Sequence, residues 1–234
     1  MTNPLNHIAI IMDGNARWAK KNNKPTIYGH KKGAQTLKDT IINCCNLNLK
    51  YLTIYAFSTQ NWQRSDEEVE NLLKLLQYYL ENQSDDLILK HKIKIKIIGN
   101  LEKLSDKIKN SINKIEENTQ DNNGLYLTIA FSYGGQEEII DAVKKITLDV
   151  KNNLVNINDI DVNLFSKYLY NPQVPNPDLL IRTGGDLRIS NFLLFQIAYS
   201  ELFFSEVLWP DFNQDHLKQA INCYNKTNRK YGKR

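Results

Sequence analysis

The chain has 234 residues, 41% of them hydrophobic and 24% charged, with a formal net charge of +4. That length and balance suit one substantial core and exclude a disordered tail, a collagen-like repeat or a coiled coil. No apolar run approaches the roughly 20 residues of a membrane span, and no basic segment leads into an apolar signal stretch, so a cytoplasmic protein is expected.

In chain order, strand-like apolar runs fall at 7–12, 51–57, 93–98, 125–131 and 179–181, with a weaker one at 201–204. Most are continuous rather than alternating, as in strands buried on both faces. Helical patterns lie between them, at about 30–48, 66–91, 105–119, 136–151, 160–170 and 214–230. The alternation predicts an α/β fold, a single domain over 1–234, with a mostly parallel sheet flanked by helices. In such sheets ligands sit beyond the carboxyl ends of the strands, so the residues after each strand are the candidates for function. Cys44, Cys45 and Cys223 make no disulfide framework and are expected as small core residues. Lys226, Arg229, Lys230, Lys233 and Arg234 crowd the end of the sequence, where a solvated tail and a phosphate- or membrane-facing patch are both open.

After the first strand comes Asp13-Gly14-Asn15-Ala16-Arg17-Trp18. Gly14 permits a tight turn, the following helix start suits an anion, Asp13 can hold Mg²⁺, and Arg17 can pair with phosphate. Taken alone, the same segment also reads as a turn in which Asp13 or Asn15 caps the helix. The second strand runs into Ser58-Thr59-Gln60-Asn61-Trp62-Gln63-Arg64. Asn61 can orient a substrate but cannot act as a base, and Trp62 reads first as core. Ser65 with Glu68 fits a capping box, which accounts for Glu68 structurally. The helix at 66–91 carries too many apolar positions for a single stripe, so its second face needs more core, a subunit or a lipid-lined cavity.

Tyr133-Gly134-Gly135-Gln136 reads mainly as a strand-to-helix turn, and its position at a carboxyl end keeps a site role open. Arg182-Thr183-Gly184-Gly185-Asp186-Leu187-Arg188-Ile189-Ser190-Asn191 follows the fifth strand and makes a credible diphosphate clamp, because arginine donates in bidentate fashion; a surface turn with salt bridges is the alternative. Glu201 stands in an apolar stretch, where a carboxylate must be paired, hydrogen-bonded or bound to a metal, and a metal or an arginine is the favoured partner. His30 follows Tyr28-Gly29 as a lone histidine, and the histidines have no zinc spacing. There is no phosphate loop of the Gly-x-x-x-x-Gly-Lys type, and no nucleic-acid partner is expected.

Together, 7–20, Gly29-His30, 56–64, Tyr133-Gly134-Gly135, 181–191 and 201–212 resemble the cis-prenyltransferase family, across nearly the whole chain. The resemblance implies a six-stranded sheet, an elongated apolar tunnel, a homodimer, and successive cis additions of isopentenyl diphosphate to an allylic diphosphate such as farnesyl diphosphate. It implies Mg²⁺ as cofactor on Asp13, with Glu201 completing the metal site. Gly14, Asn15, Ala16, Arg17, Trp18 and His30 would serve the allylic diphosphate. Arg182, Arg188 and Ser190 would grip isopentenyl diphosphate; Ser58, Asn61, Trp62 and Arg64 would position the reacting groups. Leu72, Leu75 and Leu76 match tunnel positions, and product release would involve peripheral membrane contact.

The sequence departs from the family pattern at several places. Thr26 stands for an arginine that helps hold the allylic diphosphate, Ala16 for glycine, Gln60 for glutamate and Leu187 for histidine. Lys230-Tyr231-Gly232 matches an Arg-x-Gly ending thought to reach across the dimer. A phosphohydrolase of the haloacid dehalogenase type would also place an aspartate after the first strand, but it normally carries a second one where this chain has Asn15. A non-catalytic subunit of a heteromeric transferase is the third reading, opposed by the retained Asp13, Asn61, Arg182, Arg188 and Glu201.

Overall fold

In the first strand, β1 (His7–Ile11), successive side chains point to opposite faces, and every one of the five is buried. Ile8 and Ile10 enter a large core on one side; Ala9 and Ile11 enter a smaller one on the other. A strand buried on both faces belongs in the middle of a sheet, and β1 lies there in this computed structural model, which describes residues 4–81 and 86–227. The elements follow as α1 (Asn15–Lys21), α2 (Thr26–Asn46), β2 (Tyr51–Ser58), α3 (Asp66–Glu81), α4 (Asp86–His91), β3 (Lys94–Ile98), α5 (Asp106–Thr119) and β4 (Tyr126–Tyr133). The chain continues with α6 (Gly135–Lys151), α7 (Val162–Ser166), β5 (Leu179–Arg182), β6 (Glu201–Phe204) and α8 (Gln214–Lys226).

The six strands make one sheet in the order β3-β4-β2-β1-β5-β6, and all five pairings are parallel, where the sequence led us to expect a mostly parallel sheet. From β1 the chain moves to β2 on one side and only later reaches β5 on the other. The crevice between the carboxyl ends of β1 and β5 is therefore a topological switch point, where open α/β sheets bind ligands.

The helices are amphipathic and pack on the sheet. In α5, Ile108, Ile112 and Ile115 recur at helical spacing and are buried, and Ser105 caps the start by accepting from Ile108 N–H at 3.4 Å. The helical pattern at 66–91 becomes two helices on either side of 82–85, which lie outside the described residues. That at 160–170 shortens to α7, capped by the Asp161 carboxylate on Leu164 N–H at 2.7 Å; Pro172 and Pro175 follow soon after it. The last helix ends at Lys226; the Lys230-Tyr231-Gly232 motif and the basic residues from Arg229 onward lie outside the described residues.

Cys44 is buried, and burial pushes its thiol up to about 12, so it is an inert core residue. Cys223 is exposed, against the expectation of a core position, because it lies on the outer side of α8. No helix among the described residues is long and apolar enough to cross a membrane.

Candidate active site

Beyond Ile11 the backbone of β1 is locked to the segment after β5. Thr183, fully buried, accepts from Asp13 N–H at 3.0 Å and donates its hydroxyl to the Asp13 carbonyl at 2.8 Å. Gly14 then adopts φ 117°, a left-handed conformation that turns the chain into α1, and a Cβ there would come within 2.9 Å of the Leu208 backbone. The turn projects the Asp13 carboxylate between two arginines, Arg182 at 2.7 Å and Arg17 at 3.0 Å. Burial pushes the Asp13 carboxyl up, but hydrogen bonds from Arg182 and then Arg17 outweigh it and hold it below the ordinary aspartate range. Asp13 is an anion at neutral pH.

Arg182 is the centre of the cluster. It ends β5, is only 4% exposed, and donates to Asp13, to Ser190 Oγ at 2.7 Å and to the Arg188 carbonyl at 2.6 Å. A buried guanidinium needs such partners, and these tie the 182–190 loop to β1. Asp186 gathers the rest: its Oδ2 lies 2.8 Å from Arg188, 3.3 Å from Arg17 and 3.7 Å from Arg182. Arg17 also donates to the Gly184 carbonyl at 2.7 Å.

These groups border a cleft of about 780 Å³. It is lined by Asp13, Gly14, Asn15, Ala16 and Arg17 after β1, by Ser58, Gln60, Asn61 and Arg64 after β2, and by Arg182, Arg188, Ser190 and Asn191 after β5. His30 of α2 and Glu68 and Leu72 of α3 complete it on the far side. Four arginines against the carboxylates of Asp13 and Glu68 leave its lining at +2, which suits a polyanion.

The far side has its own polar triad. Glu68 Oε1 lies 2.8 Å from Arg64 and 3.2 Å from His30 Nε2. A carboxylate only accepts, so the ring donates from Nε2. Burial lowers the His30 pKa below 6.5 more than Glu68 raises it, and the ring is neutral at pH 7. Glu68 therefore does more than the capping box allowed: its backbone N–H reaches Ser65 Oγ at 3.4 Å, while its side chain turns into the cleft. Asn61 Oδ1 accepts from Ser58 N–H at 3.0 Å, which leaves the amide N–H₂ for a ligand.

Several expectations need correction. Trp18 does not line the cleft; its indole N–H reaches Asp211 at 2.7 Å. Trp62 likewise turns away, donating to Ser132 Oγ at 2.9 Å with its ring edge-on to Phe57. Of the three leucines expected along a tunnel, only Leu72 lines the cleft; Leu76 packs against the main core and Leu75 is half-buried elsewhere. Glu201 opens β6 in register with Leu179, three residues and about 10 Å along the strand from the Arg182 level. It stands at the amino end of its strand, so within one chain it does not share a site with Asp13. Asn15 begins α1 with its Oδ1 pressed toward α2, where a Cβ on Gly33 would come within 2.3 Å of it. That side chain is a packing wedge as well as a cleft residue. Thr26 starts α2 and does not reach the cleft lining.

Sequence reasoning had named Thr183 and Asp186 only as members of a motif, and it missed Tyr55, whose hydroxyl donates to the Tyr133 carbonyl at 3.0 Å and which lines the cleft floor. Its place inside an apolar strand run hid it.

The model of the family described as "Putative undecaprenyl diphosphate synthase" matches residues 11–232. The chain belongs to this family. An isoprenyl transferase from Rickettsia typhi is 50% identical, over 98% of this chain and 99% of that protein; one from Clostridium perfringens is 44% identical, over 97% and 89%. Among solved structures, lavandulyl diphosphate synthase from Lavandula x intermedia, in complex with dimethylallyl diphosphate, superposes with a TM-score of 0.94 at 34% identity, covering 97% of this chain and 98% of that one. A probable undecaprenyl diphosphate synthase from Campylobacter jejuni does so with 0.82 at 31% identity, covering 99% and 100%. The family's chemistry is prenyl transfer, and the cleft at the switch point carries the anion-binding groups that such chemistry requires.

Proposed function

We infer that the chain condenses isopentenyl diphosphate with an allylic diphosphate, farnesyl diphosphate as starter, in repeated cis additions that build a long polyprenyl diphosphate. Undecaprenyl diphosphate, the precursor of the cell-wall lipid carrier, is the product this reading names. The observation that carries it is the cluster of Arg17, Arg182 and Arg188 around Asp13 in a cleft whose lining is positive. In each addition a carbon–carbon bond forms between the homoallylic alkene and the allylic carbon, the allylic carbon–oxygen bond breaks, and a proton is lost. Guanidinium groups neutralise the charge that collects on the departing diphosphate, and the loops carrying Asn61 and Ser190 hold the reactants in attacking geometry.

Mg²⁺ fits this site with substrate oxygens and water as co-ligands. The described residues contain no group of three or more His, Cys, Asp or Glu side chains able to cage a metal. Asp13 offers one ionised carboxylate beside the arginines, and Mg²⁺ is commonly held by one or two carboxylates together with substrate phosphates and water. Asp13 would hold it, and when bound it would supply charge neutralisation to the leaving diphosphate.

Leu72 and the apolar face of α3 are where a growing hydrocarbon would run. Each five-carbon unit taken out of water is worth roughly 3–4 kcal/mol at ~0.8 kcal/mol per CH₂. The open edge at β6, with Leu202 half exposed and Tyr199 largely exposed, supports a homodimer through that edge. Exposed Tyr78, Tyr79 and Leu89 support peripheral membrane contact during product release, by a protein otherwise in the cytoplasm.

The test is incorporation of labelled isopentenyl diphosphate into butanol-extractable lipid with farnesyl diphosphate and Mg²⁺, followed by chromatography of the product. Folded protein that incorporates nothing with any allylic starter overturns the reading.

A further inference from the structure

The loop that carries Ser190 is bent against its own preference. Ser190 has φ 48° and Asn191 φ 62°, left-handed conformations that non-glycine residues adopt uncommonly. What holds them comes largely from the start of α6. Gly135 N–H bonds to the Asn191 carbonyl at 2.7 Å, Gln136 N–H bonds to Asn191 Oδ1 at 2.9 Å, and Asn191 Nδ2 donates to Glu137 Oε2 at 2.9 Å. The other oxygen of that carboxylate, Oε1, accepts the Thr59 hydroxyl at 3.0 Å. Thr59 follows Ser58 and lies two residues before Asn61, in the turn after β2. One carboxylate thus joins the loop with Asn61 to the loop with Ser190. Room for it is kept by Gly134: a Cβ there would come within 2.0 Å of Glu137 Oε2 and 2.7 Å of Asn191 Nδ2. Glu137 itself does not line the cleft.

We propose that Glu137 is a positioning residue that sets the two substrate-holding loops relative to one another, and that Gly134 is glycine to leave space for this bridge. The proposal rests on the reading of the cleft as a site for two diphosphates. Without Glu137 the Ser190 loop loses one bond but keeps those from Gly135 N–H, Gln136 N–H and Arg182, and the Asn61 loop keeps Asn61 on Ser58 N–H, so each diphosphate still binds alone. What is lost is the mutual placement of the two reacting carbons, where a misplacement near 1 Å costs up to about a hundredfold in rate. Glutamine can keep both bonds, because its carbonyl accepts from Asn191 while its amide donates to the Thr59 oxygen.

The experiment compares the full-length wild type with Glu137→Ala, Glu137→Gln, Thr59→Val and the double variant Glu137→Ala/Thr59→Val. Steady-state incorporation is measured with both diphosphates, calorimetric binding with farnesyl diphosphate alone and isopentenyl diphosphate alone, and thermal unfolding on each protein. For Glu137→Ala we expect kcat to fall about tenfold, with single-substrate affinities within about threefold and full binding stoichiometry. Glutamine should restore kcat to within about threefold, and Thr59→Val should add nothing to Glu137→Ala. Wild-type kcat in Glu137→Ala overturns the proposal, as do independent losses that multiply in the double variant. If Glu137→Ala does not fold, Thr59→Val carries the test, since it breaks one end of the bridge only; unchanged kcat there overturns the proposal too. Failure of the wild type to incorporate at all would instead overturn the prenyl-transfer reading, and shows itself before any variant is compared.

Discussion

One wall of the cleft, formed by the ends of β1 and β5, is cross-linked by arginine–carboxylate pairs, while the opposite wall brings the His30–Glu68–Arg64 triad together with Leu72 of α3. On the first wall Asp13, Arg182, Arg17, Asp186 and Arg188 share bonds within 2.7–3.3 Å, and the backbone beneath them is pinned by Thr183. On the second, Leu72 faces the cleft from a helix whose Val69, Leu73, Leu76 and Leu80 pack on the core. The difference matches the two halves of the proposed substrate. A diphosphate keeps one size and charge through every addition, so a preformed cationic wall can serve all of them. The hydrocarbon changes length, and an apolar wall tolerates that because its contacts are not directional.

The comparison can be broken most sharply at Arg182. Arg182→Ala removes three donated bonds from a buried group, taking from Asp13 the shorter of its two arginine contacts and cutting the 182–190 loop from β1 at that point. We expect activity to fall by at least about a hundredfold and unfolding free energy by about 3 kcal/mol, read by incorporation assay and urea titration. Arg182→Lys should not rescue it, since lysine cannot reproduce the planar fork. A loss under threefold would mean the wall is not one network. Leu72→Ala sits on the other wall and should act differently: initial rate within about threefold, but an altered product-length distribution by chromatography, because it changes apolar volume and no charge. Smallest is the titration of His30. Burial holds its pKa below 6.5, so the folded ring charges only as pH falls through that lowered value, and the stability tied to the neutral ring is present above 6.5 and lost as pH falls from 6.5 to it. An NMR titration with a midpoint above 6.5 would show that the Glu68 contact is a true ion pair and that the second wall is also charge-linked.

Much of this was legible before the fold. Asp13 and Arg182 stand directly after continuous apolar runs, so a parallel sheet places both at carboxyl ends. Glu201 shows the limit of reading residues near strands without asking which side they lie on: it opens its strand run, and the same rule puts it at the opposite end. The local Asp186–Arg188 pair is the salt-bridged turn that the sequence offered, but the reach of Asp186 to Arg17 and of Thr183 to the Asp13 backbone spans about 170 residues, and β1 touches β5 only through a strand order that the sequence does not display. For Leu75 and Leu76, helical spacing shows which positions are apolar, yet says nothing of what covers them. Trp18 and Trp62 follow the same logic in reverse: each indole N–H finds a partner outside the cleft.

The central claim is that Asp13 and the arginines around it form one Mg²⁺–diphosphate site. It is tested most directly by incorporation rate against Mg²⁺ concentration for wild type and Asp13→Asn, a change that keeps shape and removes charge. The account predicts a wild-type rate that rises with Mg²⁺ and vanishes with chelator, and an Asp13→Asn rate at least about a hundredfold lower at every Mg²⁺ concentration in a protein that still unfolds cooperatively. An Asp13→Asn variant that matches the wild type across the titration would contradict it.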